Sequence, residues 1–389
     1  MSFRALLRRL VPMSFITVIG CIEPYTPEIN ANADKLLVID AFFNTDGNSE
    51  VILSRTQNLY DTDAPQVVTN AAVEVESSNG ERYRFSQTGS GKYSTFQSGL
   101  SLANTYRIIV TTSDGKKYQS PFVQASPSPR IDSVTWEVTA DQGVQIYANT
   151  RDVENKTKRY LWKYTETWLY TSAFQSSYFW DNGSIFLRPN DDDIYRCYQT
   201  EFYTKILYST TESLAEDIVS KFPVTYIPRT SERISNKYSI LVTQFGLTQE
   251  GLDYWTQLKK NTENLGTLFD PQPSIISGNI QNTNDPKEVV LGFFSAGVSS
   301  EKRIFIPVEK LTRLSFPTYE TIYKGCASTL LQVGQISSWN GSANELLIGP
   351  VYSVPNGGPP QLLGYSKGSI ECVDCRRKNG TNVKPAFWQ

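Results

Sequence analysis

Cys372-Val373-Asp374-Cys375 has the spacing of a redox pair or of half a zinc knot, and Cys197 and Cys326 bring the thiols available to such chemistry to four, with Cys21 standing apart near the N-terminus. Redox use needs a thiol whose pKa is lowered, typically at a strand-to-helix turn. This CxxC lies instead in a tail rich in Gly, Pro, Asn and Ser. A zinc site built from all four thiolates and a pair of structural disulfides are the other readings. In an exported chain disulfides persist, and an even number of cysteines favours them. The preferred pairing is Cys197 with Cys326 and a local Cys372 with Cys375, although spacing does not choose among the three possibilities.

The 389 residues contain no histidine, which removes the side chain that most often serves as a general base near neutral pH or as a metal ligand. Ser-His-Asp triads, Cys-His dyads and His-zinc sites are thereby excluded. Carboxylate pairs, Lys, Tyr or a Ser-Lys pair remain, and none shows itself by spacing, so no catalytic residue, metal or cofactor is predicted. Asn190-Asp191-Asp192-Asp193 offers hard oxygens for calcium but lacks the alternating acidic ladder of a calcium loop, and reads as a solvated turn. Asp132-Ser133-Val134 resembles a short acceptor motif for O-glycosylation in Bacteroidota. Two aromatic features could bind. Tyr160, Trp162, Tyr164, Trp168 and Tyr170 recur at period two, which places the rings on one face of a long strand, where core packing explains them as well as ligand stacking does. Tyr178-Phe179-Trp180 lacks that alternation and precedes Asp181-Asn182-Gly183, so it reads as an exposed patch able to take a glycan or a peptide.

The beginning of the chain reads as an address. Arg4, Arg8 and Arg9 precede an apolar run of about ten residues that ends in Val18-Ile19-Gly20-Cys21, a signal peptide over residues 1–20 and too short for the ~20 residues of a membrane span. Gly20 before Cys21 resembles a bacterial lipobox, so Cys21 is the predicted lipidation site and residues 21–33 the tether. Loss of the three arginines takes the chain from 37 basic and 39 acidic residues to 34 and 39, a net charge of −5. That balance disfavours nucleic acid and leaves the lipid to hold the membrane.

The elements that must position these residues are mostly strands. Residues 36–43, 50–56, 72–76, 82–86, 91–96, 105–112 and 116–122 each have strand length and composition, and Asn79-Gly80 and Asp114-Gly115 mark hairpin turns between the third and fourth runs and the last two. This predicts an immunoglobulin-like β-sandwich over residues 34–128, followed by a stiff connector at 124–130 and a larger β-rich domain over 129–389. Within that domain the sequence predicts a hairpin from 134–138 and 143–149, strands at 194–202, 205–208, 237–245, 288–296 and 303–307, and a helix from Thr248 to about Asn264. Thr248 is its N-cap, Leu247 and Leu252 form a hydrophobic staple, and Gly266 is the C-cap. A second, shorter helix is expected over 211–221, where Leu214, Ile218 and Phe222 share a face. The last seventy residues read as a loop-heavy extension wrapped over the domain and carrying the cysteines.

The lipobox at Cys21, the run from Lys237 to Gln244 leading to Tyr254-Trp255, then Gly266-Thr267-Leu268-Phe269-Asp270-Pro271-Gln272-Pro273, Gly278-Asn279-Ile280, Gly292-Phe293-Phe294, the terminal CxxC and Lys384-Pro385-Ala386-Phe387-Trp388 together resemble one family across the mature chain. It is the Bacteroidota outer-membrane lipoprotein family known as domain of unknown function 4249. The resemblance implies a lipid-anchored, surface-exposed outer-membrane protein encoded beside TonB-dependent receptors, and carries no catalytic residues. The function expected is therefore non-enzymatic, as an accessory to a TonB-dependent outer-membrane barrel in ligand capture or uptake. The alternative is a structural or assembly accessory of the outer membrane with no small ligand of its own.

Overall fold

Alternation of apolar and polar residues sets the first nine strands, and the computed structural model describes them within residues 35–389, excepting 58–64, 264–275, 277, 308, 310–321, 340, 342–343 and 356–357. The predicted signal peptide, Cys21, the tether and the C-cap Gly266 all lie outside the described residues. In β1 (Leu37–Asn44) every second side chain, Leu37, Ile39, Ala41 and Phe43, is buried. It pairs antiparallel with β2 (Gly47–Arg55). The strands β3 (Ala72–Ser77) and β4 (Arg82–Arg84) form the hairpin expected around Asn79-Gly80, with Val75 opposite Tyr83. β5 (Ser86–Gly89) and β6 (Lys92–Gln97) extend the sheet of β1 and β2. β7 (Thr105–Thr111) and β8 (Lys117–Gln119) form the second predicted hairpin, closed at Gly115 with φ +84°. A single core of Ile39, Phe43, Leu53, Val75, Tyr106, Ile108, Val110 and Tyr118 lies between the two sheets. The result is an immunoglobulin-like sandwich, held by burial of roughly 1.5–3 kcal/mol per large apolar side chain before chain entropy is counted.

The connector is not a bare spacer. Its first half is β9 (Val123–Ser126), which pairs with β7. Only residues 127–130 cross to the second sandwich. There β10 (Ile131–Val138) and β11 (Val144–Asp152) make the expected hairpin. The aromatic row lies on β12 (Arg159–Thr171), and its five rings are all buried in the core. Trp162 stacks between Tyr160 at 5.6 Å and Phe222 at 4.2 Å. Core packing therefore accounts for the row. β13 (Tyr178–Asp181) and β14 (Ser184–Leu187) form a two-stranded hairpin. The two runs expected at 194–202 and 205–208 are one strand, β15 (Arg196–Thr210), whose register on β12 shifts between Trp162 and Tyr164.

The helix expected over 211–221 is absent. Those residues form a turn and the start of β16 (Asp217–Ile227), which pairs with β11. One fact outweighs the apolar spacing: Asp217 is buried, accepting hydrogen bonds from Tyr160 Oη and Thr211 Oγ1, both at 2.6 Å. Next comes β17 (Lys237–Gly246), then α1 (Gln249–Glu263), where Thr248 Oγ1 accepts the Gly251 N–H at 3.2 Å as the predicted cap. Leu247 and Leu252 pack with Leu161 and Ile206 on the sheet face opposite the aromatic row.

After α1 the chain returns to the first sandwich, contrary to the expected division at residue 128. β18 (Gln281–Asn282) pairs with β8, and β19 (Val290–Leu291) and β20 (Phe294–Gly297) run parallel to β1. The strand predicted over 288–296 is broken at Gly292, whose φ of +112° and approach to the backbone of Ile39 exclude a side chain. β21 (Ser299–Pro307) then completes the second sandwich, whose sheets run β10-β11-β16 and β15-β12-β17-β21.

The tail holds more regular structure than its composition suggests. β22 (Ser328–Gln332), β23 (Glu345–Ser353) and β24 (Gln361–Ser369) form an antiparallel sheet in the order β22-β24-β23, followed by the short helix α2 (Ile370–Val373). All four downstream cysteines are in disulfides, but the preferred pairing is overturned: the bonds are Cys197–Cys375 and Cys326–Cys372. Cys375 sits in the second-sandwich core beside Cys197, whereas Cys372 lies within α2 and is bonded to Cys326. The last residues close over β15 and β21, with Trp388 edge-on to Tyr198 at 5.2 Å and Phe305 at 5.6 Å.

Candidate binding site

Asn182 and Gly183 have φ of +47° and +87°, the left-handed geometry of a two-residue hairpin turn. This turn makes Tyr178-Phe179-Trp180 a strand rather than the non-strand patch expected. Phe179 faces Phe186 across the hairpin at 5.7 Å. Tyr178 meets Tyr365 of β24 edge-on at 5.4 Å, and Trp180 meets Trp339 edge-on at 6.0 Å. All three rings are half-buried, so their packing on the tail sheet corrects the expectation of full exposure. Gly341 makes this contact possible, because a Cβ there would lie 2.9 Å from the Trp180 ring.

Beside Trp339 lies a shallow groove of about 460 Å³, largely open to solvent. Leu330, Leu331 and the Trp339 ring give it apolar walls. Thr329, Gln335, Ser338 and Lys367 supply donors and acceptors. The Lys367 ammonium lies 6.0 Å from the Trp339 ring centroid and is paired with Glu345. A ring face bordered by hydroxyl, amide and ammonium groups suits a polar ligand with apolar faces, such as a sugar or a short peptide. Sequence reasoning singled out the Tyr178-Phe179-Trp180 rings beside this groove, as an exposed patch and not as a hairpin, and missed the groove itself. Trp339 lies more than 150 residues from Trp180 in the chain, and nothing local marks the two as neighbours.

The other candidates serve the fold. Asp193 caps its own turn, accepting the backbone N–H groups of Tyr195 at 2.9 Å and Arg196 at 3.1 Å, while Asp192 pairs with Arg188. Ser133 Oγ accepts from Asn149 Nδ2 at 3.1 Å within the β10–β11 hairpin. Among the described residues no group of acidic or thiol side chains is placed to hold a metal ion.

Sequence reasoning also passed over Glu166, which occupies the one acidic position within the aromatic row and is fully buried. Tyr238 Oη donates to Glu166 Oε1, and Arg233 donates to Glu166 Oε2 at 2.6 Å. Arg233, from the 3-10 turn Glu232–Ile234, also donates to Tyr203 Oη and lies over the Trp168 and Tyr203 rings. Burial pushes the Tyr238 phenol well above its ordinary pKa, and Glu166 pushes the same way. For Arg233 burial works against the charge, yet Glu166, Tyr203 and Tyr238 outweigh it and hold the guanidinium above its usual value. With both oxygens engaged, Glu166 is an acceptor locked into a core network and not a base poised over a cleft. Its period-two position among the rings was the available signal.

No curated protein matches the chain. Among solved structures it is similar to a segment of two fibronectin type-III domains from chicken tenascin, at 9% identity over 55% of this chain and 93% of that one, with a TM-score of 0.16. It is also similar to the FN1–FN3 domains of chicken CNTN1, at 12% identity over 55% of this chain and 60% of that one, with a TM-score of 0.18. The family described as domain of unknown function (DUF4249) matches residues 22–303, well over half of the chain and all of both sandwiches up to Arg303 in β21, so the protein belongs to that family.

Proposed function

We propose that the protein is a non-enzymatic, surface-exposed lipoprotein of the outer membrane, anchored through Cys21, that works beside a TonB-dependent barrel and captures or retains a glycan or peptide ligand. The observation that carries this reading is the groove beside Trp339, where aromatic and polar groups converge and the Tyr178–Trp180 hairpin braces the wall. Export and lipid anchoring rest on the Arg-rich start, the short apolar run and Gly20-Cys21, while the outer-membrane surface and the barrel partner rest on what the family resemblance implies. The engaged state of Glu166 supports a binding role over catalysis. Trp339→Ala removes the ring wall, and Gln335→Ala removes a polar group, without touching either sandwich core. Both variants should weaken retention of the protein on immobilised surface glycans or on peptides cross-linked at the barrel, while circular dichroism stays unchanged. Wild-type retention by both variants would take the groove out of the function and leave the structural accessory as the reading to pursue.

A further inference from the structure

Apart from Lys367, the residues lining the groove beside Trp339 all lie within 325–366, a stretch whose one charged side chain is Glu345. Lys367 is paired with that carboxylate, so the groove carries no net charge among the described residues. Its polar groups are also held in fixed orientations. Gln335 Oε1 accepts the Gln332 N–H at 3.1 Å, which sets the amide and leaves Nε2 as a donor. Ser338 Oγ donates to Gln335 O at 3.0 Å, which leaves the hydroxyl its lone pairs as an acceptor. Both residues belong to the 3-10 turn Val333–Ser338, whose three-residue repeat puts positions 335 and 338 on one side. A set donor and a set acceptor therefore stand together next to the Trp339 ring.

We infer that the groove takes an uncharged glycan, with one sugar ring stacked on Trp339 and its hydroxyls between Gln335 Nε2 and Ser338 Oγ. This rests on the groove being the ligand site and narrows its ligand from glycan or peptide to the first. A hydroxyl is donor and acceptor at once, so neighbouring sugar hydroxyls accept from the amide and donate to Ser338 while the C–H face of the ring covers the indole. The open, shallow shape suits a ring within a chain, whose neighbours run out into solvent on either side. Charged sugars fit less well. An acidic one would have to take Lys367 from Glu345, and a basic one Glu345 from Lys367. An extended peptide is recognised through the free backbone of an edge strand. The edge strand here is β22, but the Gln332 N–H is already given to Gln335, and the Leu331 carbonyl is turned toward Gly364 of β24. A wholly apolar ligand would strip water from Gln335 and Ser338 and return no hydrogen bond.

Titration calorimetry of the full chain carrying Cys21→Ser tests the inference, with soluble oligomers of glucose, mannose, xylose and galactose, acidic oligogalacturonate, and short uncharged peptides as probes. At least one neutral oligomer should bind, with an affinity unchanged at high salt. Trp339→Ala should weaken that binding about tenfold. Gln335→Glu keeps an acceptor for the Gln332 N–H and replaces the donor with a second oxygen. It should weaken binding by a similar factor, and it guards against misfolding because the Trp339 ring stays in place. Binding confined to oligogalacturonate or to peptides, and lost in Trp339→Ala, overturns the inference and leaves the groove standing as a capture site. Neutral-glycan binding that Gln335→Glu retains in full overturns the hydroxyl pattern and the inference with it. No binding of any probe, or binding that Trp339→Ala retains in full, overturns the groove reading as well.

Discussion

Cys375 is bonded to Cys197, 178 residues earlier in the chain, and not to Cys372 three residues away. The consequence is a tail fastened at two points to different surroundings. The first bond is buried in the second-sandwich core, while the second, Cys326–Cys372, closes a segment of 46 residues and leaves Cys326 partly open. Non-reducing peptide mapping should find these two links and no Cys372–Cys375 bridge. Mild reductant should free Cys326 and Cys372 first, with Cys197 and Cys375 alkylated only under denaturing conditions. Replacing Cys197 and Cys375 with Ala should cost about 2–5 kcal/mol. Simultaneous release of all four thiols under mild reductant would contradict the difference in burial.

Glu166 offers a second test, because removing one partner of a buried ion pair is far more damaging than replacing both. Glu166→Ala strands Arg233 and the Tyr238 hydroxyl together and should destabilise by about 3–5 kcal/mol. Tyr238→Phe, which removes one hydroxyl, should cost about 1–3 kcal/mol. A double-mutant cycle between Glu166→Gln and Arg233→Met should give a clear coupling energy in denaturant unfolding. Additivity would mean the two side chains do not act as a unit.

What could be read from the sequence follows from how local each signal is. Period-two burial and Asn-Gly or Asp-Gly turns are contained within a dozen residues, so β3–β4, β7–β8 and the aromatic row of β12 were legible, as was α1 from Thr248 and its staple. The return of residues 281–297 to β1 was not, because a parallel pairing such as Ala41 with Phe294 leaves no mark in either segment alone. The crossed disulfides and the meeting of Trp180 with Trp339 are hidden for the same reason. At 211–221 a helical spacing was present, but the buried demand of Tyr160 for Asp217 decided the conformation. The tail sheet escaped because its strands are rich in Gly and Ser, whose presence reads as loop although cross-strand partners are in place.

Asp374, between the two bonded cysteines, gives a pH prediction. Burial alone would raise its pKa, yet hydrogen bonds from the Arg376 side chain and backbone N–H outweigh burial and hold the carboxyl below its ordinary value. A depressed folded pKa means that the stabilisation is fully present above the unfolded value of about 4 and is lost as pH falls through the lower folded value. Arg376 is nearly half exposed, so the contribution is modest, about 1 kcal/mol. Asp374→Asn should therefore be less stable than wild type at pH 7, and the gap should close as the pH is lowered from about 4 to about 2. A gap that stays constant over that range would show that the carboxylate charge plays no part.

The junction between the sandwiches can be tested at Gly246, the last residue of β17. A Cβ at this position would lie 1.9 Å from the carbonyl oxygen of Pro127, a backbone atom with no flexible side chain to move aside. The same strand grips the connector one turn of the pleat away. Gln244 Nε2 donates to Pro129 O at 2.9 Å, while its Oε1 accepts from the buried Trp162 Nε1 at 3.0 Å. Residues 127–130 are thus clamped on the second sandwich by one side chain and one absence of a side chain. Gly246→Ala should destabilise by about 1–3 kcal/mol through the forced shift of the connector. Gln244→Ala should cost a similar ~1–3 kcal/mol by leaving the Trp162 N–H without an acceptor. As a control, Gly80→Ala in the β3–β4 turn meets no atom within 4 Å, so only its φ of +92° counts against it, worth about 1 kcal/mol. Chemical unfolding of the three variants should rank Gly80→Ala as the mildest, and a Gly246→Ala protein as stable as wild type would show that the connector is not held against β17.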